Sequence, residues 1–130
     1  MERGRLKAVP FFTAMSKSDL ATIAQQTDEI DVPAGKVLAR EGDFGEEFLV
    51  IDSGTAEVTR GGERIAELGA GEFFGEMALL EGDRRNATVT AATPMSLIVM
   101  TRASFRALDR SHPQIHETVA KAIAERHATA

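Results

Sequence analysis

The chain has 130 residues, of which 43% are apolar and 27% charged, proportions typical of a globular domain with one hydrophobic core. The absence of cysteine excludes a disulfide scaffold, thiolate chemistry and zinc sites of the cysteine type. The formal net charge of -5 argues against a nucleic-acid-binding surface over most of the molecule.

The N-terminal residues carry a few positive charges but no apolar stretch of secretory length. No apolar run is long enough to cross a membrane. The sequence therefore predicts a soluble, cytoplasmic protein that has neither a membrane nor a nucleic acid as its partner.

The first 27 residues have the pattern of a helical segment. Ser16 or Ser18 can cap a helix, and Leu20, Ile23 and Ala24 then recur at helical spacing. We expect this helix to precede a different kind of structure, since the pattern changes at about residue 28.

Residues 28–101 have the pattern of a β-structure. Ten of the eleven glycines lie between Gly35 and Gly82, where they separate short runs rich in Val, Ile, Leu and Phe. The predicted strands are Glu29–Val32, Lys36–Arg40, Glu47–Asp52, Thr55–Arg60, Arg64–Leu68, Asn86–Ala91 and Met95–Thr101. Seven or eight short strands at this spacing favour an eight-stranded jelly roll, also called a double-stranded β-helix.

Residues 102–130 return to a helical pattern. Phe105 and Leu108 mark one short helix, and Pro113 begins a second. The second helix carries an apolar stripe of Ile115, Val119 and Ile123. We expect the stripe to pack on its own domain, the alternative being a homodimer formed through the C-terminal helices. Because there is no repeat or linker, the sequence predicts one domain over residues 1–130.

The segment GAGEFFGEMALLEGDRRNATV interrupts the predicted sheet. After Gly75, residues Met77 to Leu80 can form one helical turn whose first amides are unsatisfied and can bind an anion. Glu76 would lie beside that anion, which is unfavourable unless its carboxylate accepts from a hydroxyl such as that of a ribose. Arg85 can bind two phosphate oxygens at once. From the residues alone, a plain turn with solvated charges is an equal alternative.

The pattern as a whole resembles a known family. The string FGEMALL, four further residues and then RNATV resemble the phosphate-binding cassette of the cyclic nucleotide-binding domain family. That family includes catabolite-activator-type regulators, regulatory subunits of protein kinase A and cyclic-nucleotide-gated channels. The stretch EGDFGEEFLVIDSGTAEV resembles the family's paired central strands, and the resemblance extends from about Val9 to Arg126. It implies a short cassette helix in addition to the N-terminal helix and the two C-terminal helices.

The resemblance also implies a role for individual residues. Glu76 would accept a hydrogen bond from the ribose 2'-hydroxyl, and Arg85 would pair with the exocyclic phosphate oxygens. Backbone amides of Gly75, Ala78 and Asn86 would complete the phosphate site. The residues assigned to ligand binding are Gly75, Glu76, Met77, Ala78, Arg85, Asn86, Ala87, Val58 and Ile65.

Three of the implied positions have a plain structural alternative. Val58 and Ile65 match positions that line the purine, although apolar strand residues are more often core. Glu46 matches a carboxylate that steadies the arginine, and a surface charge is an equal alternative. Neither a catalytic residue nor a metal is implied.

The sequence departs from the family pattern at two positions. Arg84 stands where the family often has proline, so two adjacent arginines compete for the phosphate. Strand alternation favours Arg85, on the face of Ala87 and Val89, and leaves Arg84 solvated. Asn86 stands where the family has a small residue, Ser or Thr, and it leaves the choice between cAMP and cGMP open.

The residue that closes over the base is less defined by the sequence. Arg126 can stack on the purine, and His127 or Thr129 can hydrogen-bond to it, but a solvated, frayed terminus is the favoured interpretation of all three. A weak lid, or one borrowed from a partner, is expected.

These observations predict a ligand-controlled regulatory module without cofactor or enzymatic activity. It would bind cAMP in preference to cGMP and transmit binding through Met77, Leu79, Leu80 and the C-terminal helices. The receiver would be a protein partner or, if the sequence is a fragment, an output domain, since the chain stops before a helix-turn-helix could begin.

Two other functions compete with this one. The first is a non-binding structural or dimerisation module of the same fold, which would need neither Gly75, Glu76 nor Arg85. The second is a cupin-type metalloenzyme, which needs histidines on strands. It is disfavoured because His112, His116 and His127 all lie in the predicted helical tail.

Overall fold

The structure is a computed structural model that describes residues 15–45, 47–75, 84–115, 117, 120 and 121. Its helices are α1 (Lys17–Gln25) and α2 (Arg102–Ser111). Its strands are β1 (Asp28–Val32), β2 (Val37–Ala39), β3 (Glu47–Ser53), β4 (Ala56–Arg60), β5 (Glu63–Leu68), β6 (Phe73–Phe74), β7 (Thr88–Ala91) and β8 (Met95–Thr101).

The strands form two four-stranded antiparallel sheets. The first has the order β1-β8-β3-β6, and the second has the order β2-β7-β4-β5. Because β1 and β2 lie in different sheets, as do β3 and β4, the chain crosses repeatedly from one sheet to the other. The prediction of a mostly β jelly roll with flanking helices is confirmed, while its short cassette helix lies outside the described residues.

Two apolar clusters meet at β3 and β8. Alternate residues of β3 serve different clusters: Phe48 and Val50 pack with α1 and α2, whereas Leu49 and Ile51 pack against the second sheet. Strand β8 divides in the same way. Both strands are therefore buried on both faces, which explains their almost continuous apolar sequence.

Most predicted strand ends agree with the structure to within one residue. Strand β6 was not predicted, because two residues are too few for a periodic pattern, although it pairs with Leu49 and Val50 of β3. The predicted start of the seventh strand at Asn86 was wrong. Asn86 and Ala87 form a bend, and β7 begins at Thr88.

Hydroxyl caps begin α1 and α2. The Ser16 side chain accepts a hydrogen bond from the amide of Asp19 at 3.1 Å, so Ser16 rather than Ser18 caps α1. The Thr101 side chain accepts a hydrogen bond from the amide of Ser104 at 3.1 Å and caps α2. Among the residues that the structure describes, no helix is long and apolar enough to span a membrane.

The C-terminal part of the described chain packs on the domain itself. Phe105 and Leu108 of α2 are buried in the cluster that joins the helices to the first sheet. Helical backbone follows at residues 113–115, and Ile115 is 4% exposed in the same cluster. The first residue of the predicted stripe thus packs on its own domain, whereas Val119 and Ile123 lie outside the described residues.

The helix-side core depends on an aromatic pair. Phe48 is 1% exposed, and its ring meets that of Phe73 edge to face at 5.4 Å. We expect Phe48→Ala to lower the free energy of unfolding by about 3–5 kcal/mol, because it removes the ring and leaves a cavity. Ile30→Ala, at a position 40% exposed, should cost about 1 kcal/mol or less. Urea denaturation measures both, and equal losses would contradict this description of the core.

Candidate functional site

The side chain of Arg85 lies between two glycine backbones. A Cβ added to Gly45 would approach Nη2 of Arg85 to 2.6 Å, and it would come closer still to Nε and Cζ. A Cβ added to Gly75 would overlap Nη1 and lie 3.1 Å from Cζ. Only residues without a side chain therefore allow the guanidinium to occupy this position.

Hydrogen bonds fix both ends of Arg85. Nη2 of its guanidinium donates to the main-chain carbonyl of Glu47, the first residue of β3, at 2.7 Å. Its amide donates to the carbonyl of Asp43 at 2.8 Å, and its own carbonyl accepts from the amide of Gly42 at 2.8 Å. The loop before β3 and the start of β3 thus place a permanently charged, half-buried cation at the end of the first sheet.

Position 75 must be glycine for two reasons. Its φ of +79° lies in the left-handed region that side chains disfavour. A Cβ there would also lie 2.6 Å from the carbonyl oxygen of Glu47. Since Gly75 directly follows β6, the pairing of β6 with β3 brings it against Glu47 and Arg85.

Sequence reasoning missed Gly45. Its only signal is its place in the EGDFG turn, and nothing in local spacing indicates a contact with a residue forty positions further along. The contact arises from the β-roll, which brings the loop after β2 beside the residues that precede β7. The isolated bridge between Phe44 and Arg84 records the same approach.

The guanidinium groups of the two adjacent arginines have different surroundings. The guanidinium of Arg84 is exposed, donates from Nη1 to the carbonyl of Gly42 at 2.7 Å, and stacks on the ring of Phe44 at 4.2 Å. The strand-alternation argument for choosing Arg85 was wrong in its premise, because β7 begins only at Thr88. The expectation of a simply solvated Arg84 is incomplete, since this side chain also binds the 42–44 loop.

Asn86 and Ala87 lie in the bend after Arg85. Asn86 is exposed, and its main-chain carbonyl accepts a hydrogen bond from Nε of Arg60 at 3.0 Å. Ala87 is buried. Arg60 therefore ties the end of β4 to the residue after Arg85.

Val58 and Ile65 differ in their surroundings. Val58 is partly buried against the core between the sheets. The register of β4 and β5 shifts between Val58 and Thr59, so Ile65 is the additional residue of a bulge. Ile65 is 49% exposed, and the interpretation of Ile65 as plain core is therefore wrong.

Several predicted site residues lie outside the described part of the chain and stay predictions. They are Glu46, Glu76, Met77, Ala78, Arg126, His127 and Thr129. Leu79 and Leu80, assigned to coupling, lie there as well. Within the described ranges, no group of three histidine or acidic residues is arranged to hold a metal ion.

A polar cleft of about 240 Å³ borders the arginine. Residues 37–40 and 43–45 line it, together with Glu47 and Arg85. Of the ligand-binding residues predicted from the sequence and described by the structure, only Arg85 contributes to this lining. The cleft therefore reaches the guanidinium from the side of Gly45, whereas the predicted cassette begins at Gly75.

The β-roll holds an arginine between two glycines, and comparison with known proteins identifies the class of domain. The sequence model of the cyclic nucleotide-binding domain matches residues 29–112, which is more than half of the chain. The chain belongs to the cyclic nucleotide-binding domain family, whose members serve as regulatory rather than catalytic domains.

Individual relatives are similar over most of this chain. A cyclic nucleotide-gated potassium channel of Rhizobium etli is 42% identical over 119 residues, covering 92% of this chain and 33% of the channel. A cAMP-dependent protein kinase regulatory subunit of Schizosaccharomyces pombe is 35% identical over 104 residues, covering 79% and 25%. The chain thus spans a quarter to a third of the length of these two proteins.

A solved structure supports the same assignment. The regulatory domain of Toxoplasma gondii PKA, co-crystallised with cAMP, has a TM-score of 0.77 and 25% identity. The match covers 95% of this chain and 48% of that one.

The contact between Gly45 and Arg85 can be tested directly. We expect Gly45→Ala to displace the Arg85 guanidinium while the fold is kept, because the φ of Gly45 is not in the left-handed region. The matched control is Gly69→Ala, where an added Cβ meets nothing within 4 Å. The Nε–H resonance of Arg85 should shift in the first variant only, and an unchanged resonance in Gly45→Ala would refute the contact.

Proposed function

We propose that this chain binds a cyclic nucleotide, with cAMP preferred over cGMP, and acts as a regulatory module in the cytoplasm. The observation that carries the proposal is the placement of Arg85 between Gly45 and Gly75. A scaffold gains nothing from a cation held against two glycine backbones, whereas a phosphate can pair with it. The alternative of a non-binding module of the same fold leaves this arrangement without a use.

Because the chain as a whole is acidic, binding of an anionic ligand depends on a local cation that is already in position. The protein has a formal net charge of -5, which repels an anionic ligand at long range. A guanidinium already fixed by Glu47 and Gly45 loses little conformational freedom when it pairs with a phosphate. We assign this pairing to Arg85 rather than to Arg84, which contacts Phe44 and Gly42 instead.

The remaining parts of the ligand are assigned to neighbouring residues. Glu76 and the amides of Gly75, Ala78 and Asn86 would bind the ribose and phosphate, with Met77 and Ala87 beside them. Val58 and Ile65 would contact the purine, and Ile65 in particular offers exposed apolar surface on the edge strand β5 that suits a flat, apolar ring face. Arg126, His127 and Thr129 are the candidates for the lid, and Glu46 is assigned to steadying Arg85.

Transmission of binding follows from the position of β6. Phe73 packs in the helix-side cluster with Phe105, Leu108 and Ile115, while its neighbour Phe74 packs between the sheets. Movement of the segment that follows Gly75 would therefore reach α2 and the residues after it through Phe73. The receiver is a partner protein or a further domain of a longer chain, in line with relatives that are a channel and a kinase regulatory subunit, and a homodimer through the C-terminal helices is a separate proposal.

The role of Arg85 is tested by Arg85→Ala. We expect its affinity for cAMP to fall about tenfold or more, because a hydrogen bond to a charged group contributes roughly 1.5–3 kcal/mol. The matched control is Arg106→Ala, which removes the same charge from an exposed position on α2. Isothermal titration measures both. If the unaltered protein shows no saturable binding of cAMP or cGMP below the millimolar range, the proposed function is wrong.

Asn86 is the residue expected to set the base preference. Its side-chain amide can donate to the phosphate or bind the polar edge of guanine. Its main-chain carbonyl already accepts a hydrogen bond from Arg60. We expect Asn86→Ala to change the ratio of the cAMP and cGMP affinities by about fivefold. Arg85→Ala should weaken both ligands alike. Competition titrations compare the ratios, and an unchanged ratio in Asn86→Ala would remove Asn86 from base selection.

A further inference from the structure

Phe44 and Arg84 form a stacked pair on the surface beside the candidate site. The guanidinium carbon of Arg84 lies 4.2 Å from the centre of the Phe44 ring, and the two residues form an isolated β-bridge. Phe44 is 65% exposed, so the ring adds little to the buried core. Single exposed apolar side chains are common on protein surfaces, so what distinguishes Phe44 is its stacking contact with Arg84 rather than its exposure.

The stacked pair lies next in sequence to the central contact of the site. Phe44 precedes Gly45 and Arg84 precedes Arg85, so the stack joins the two chain segments one residue away from the place where Gly45 meets the Arg85 guanidinium. The same two segments are also joined through the main chain, by the hydrogen bonds between Gly42 and Arg85 and between Arg85 and Asp43. Arg84 adds a hydrogen bond to the carbonyl of Gly42.

These contacts act together as one tether between the loop after β2 and the residues before β7. If the loop moved away, Gly45 would no longer confine the guanidinium, and the main-chain bonds of Arg85 to Asp43 and Gly42 would break. The stacked pair opposes that movement from the solvent side. It therefore favours the conformation in which Arg85 is confined.

We propose that Phe44 and Arg84 are positioning residues whose stacking keeps Arg85 in the conformation that can receive a phosphate. This inference rests on the proposed function, since it assumes that Arg85 pairs with the cyclic phosphate. It also gives Arg84 a purpose, because a side chain at this position without a cationic plane cannot stack on Phe44 in this way.

The kinetic consequence distinguishes positioning from direct contact. The observed association rate scales with the fraction of molecules in the competent conformation, and weakening the stack lowers that fraction. Once the phosphate holds Arg85, the stack matters less, so dissociation changes little. Loss of a residue that touches the nucleotide acts the other way and mainly raises the dissociation rate.

The test uses Phe44→Leu, which keeps an apolar side chain but removes the ring face. We expect the association rate of cAMP to fall about twofold, because an exposed cation–π contact changes the ratio of confined to open molecules by at most about fivefold and the confined form predominates, while the dissociation rate stays unchanged. Phe44→Tyr, which keeps the ring face, should restore association, and Arg85→Ala should instead raise dissociation. Stopped-flow measurements with a fluorescent cAMP analogue separate the two rates. A faster dissociation with unchanged association in Phe44→Leu would overturn the inference.

Amide hydrogen exchange provides a readout that needs no nucleotide. In Phe44→Leu the amides of Gly42 and Arg85 should exchange about threefold faster or more, because their hydrogen bonds, to the carbonyls of Arg85 and Asp43 respectively, open more often. The amide of Ile51 in β3, which donates to the carbonyl of Glu72, should be unaffected. Unchanged exchange at Gly42 and Arg85 would overturn the inference. A protein that binds no cAMP would overturn the proposed function. Hydrogen exchange would then test only whether the stacked pair holds the two chain segments together.

Discussion

The confinement of one guanidinium between two glycine backbones is the constraint on which the candidate site depends. Gly45 and Gly75 leave room for Arg85, and the carbonyl of Glu47 holds its Nη2. An arginine side chain normally loses much rotational freedom when it binds a ligand. Here that loss occurs on folding, so the cation is prepared for an anion.

The β-roll supplies the geometry of this contact. Strand β3 begins at Glu47, two residues after Gly45, and β6 ends one residue before Gly75. The pairing of Leu49 with Phe74 fixes the register of the two strands and so brings both glycines to the same end of the first sheet. Alternate residues of β3 pack in different apolar clusters, so a shift of one residue would exchange the side chains of the two clusters and disturb the close packing of both.

Much of the architecture was predictable from the sequence, and the limits of prediction have physical causes. Glycines at turns and short apolar runs indicated seven strands, and Ser16 or Ser18 indicated the start of the first helix, whereas the Thr101 cap of α2 was not predicted. The two-residue β6 has no period to detect, and the bulge that exposes Ile65 depends on cross-strand register. The contact of Gly45 with Arg85 and the stack of Arg84 on Phe44 join segments about forty residues apart, which local patterns do not encode.

The candidate site was predictable only in part. Arg85 and Gly75 were chosen through the family resemblance, and the structure brings these two together. Strand alternation was used to exclude Arg84, but neither arginine lies in β7, which begins at Thr88. The cassette residues from Glu76 onward and the lid candidates lie outside the described chain, so their roles stay predictions.

A cyclic nucleotide bound on the Gly75 side of Arg85 would change the surroundings of the residues on that side. Adding cAMP to isotope-labelled protein and mapping the changes in amide resonances measures this. We expect the largest changes at Gly75, Arg85, Asn86 and Ile65. This expectation would be contradicted by an unchanged spectrum, or by changes confined to residues 37–40 on the opposite side of the cleft.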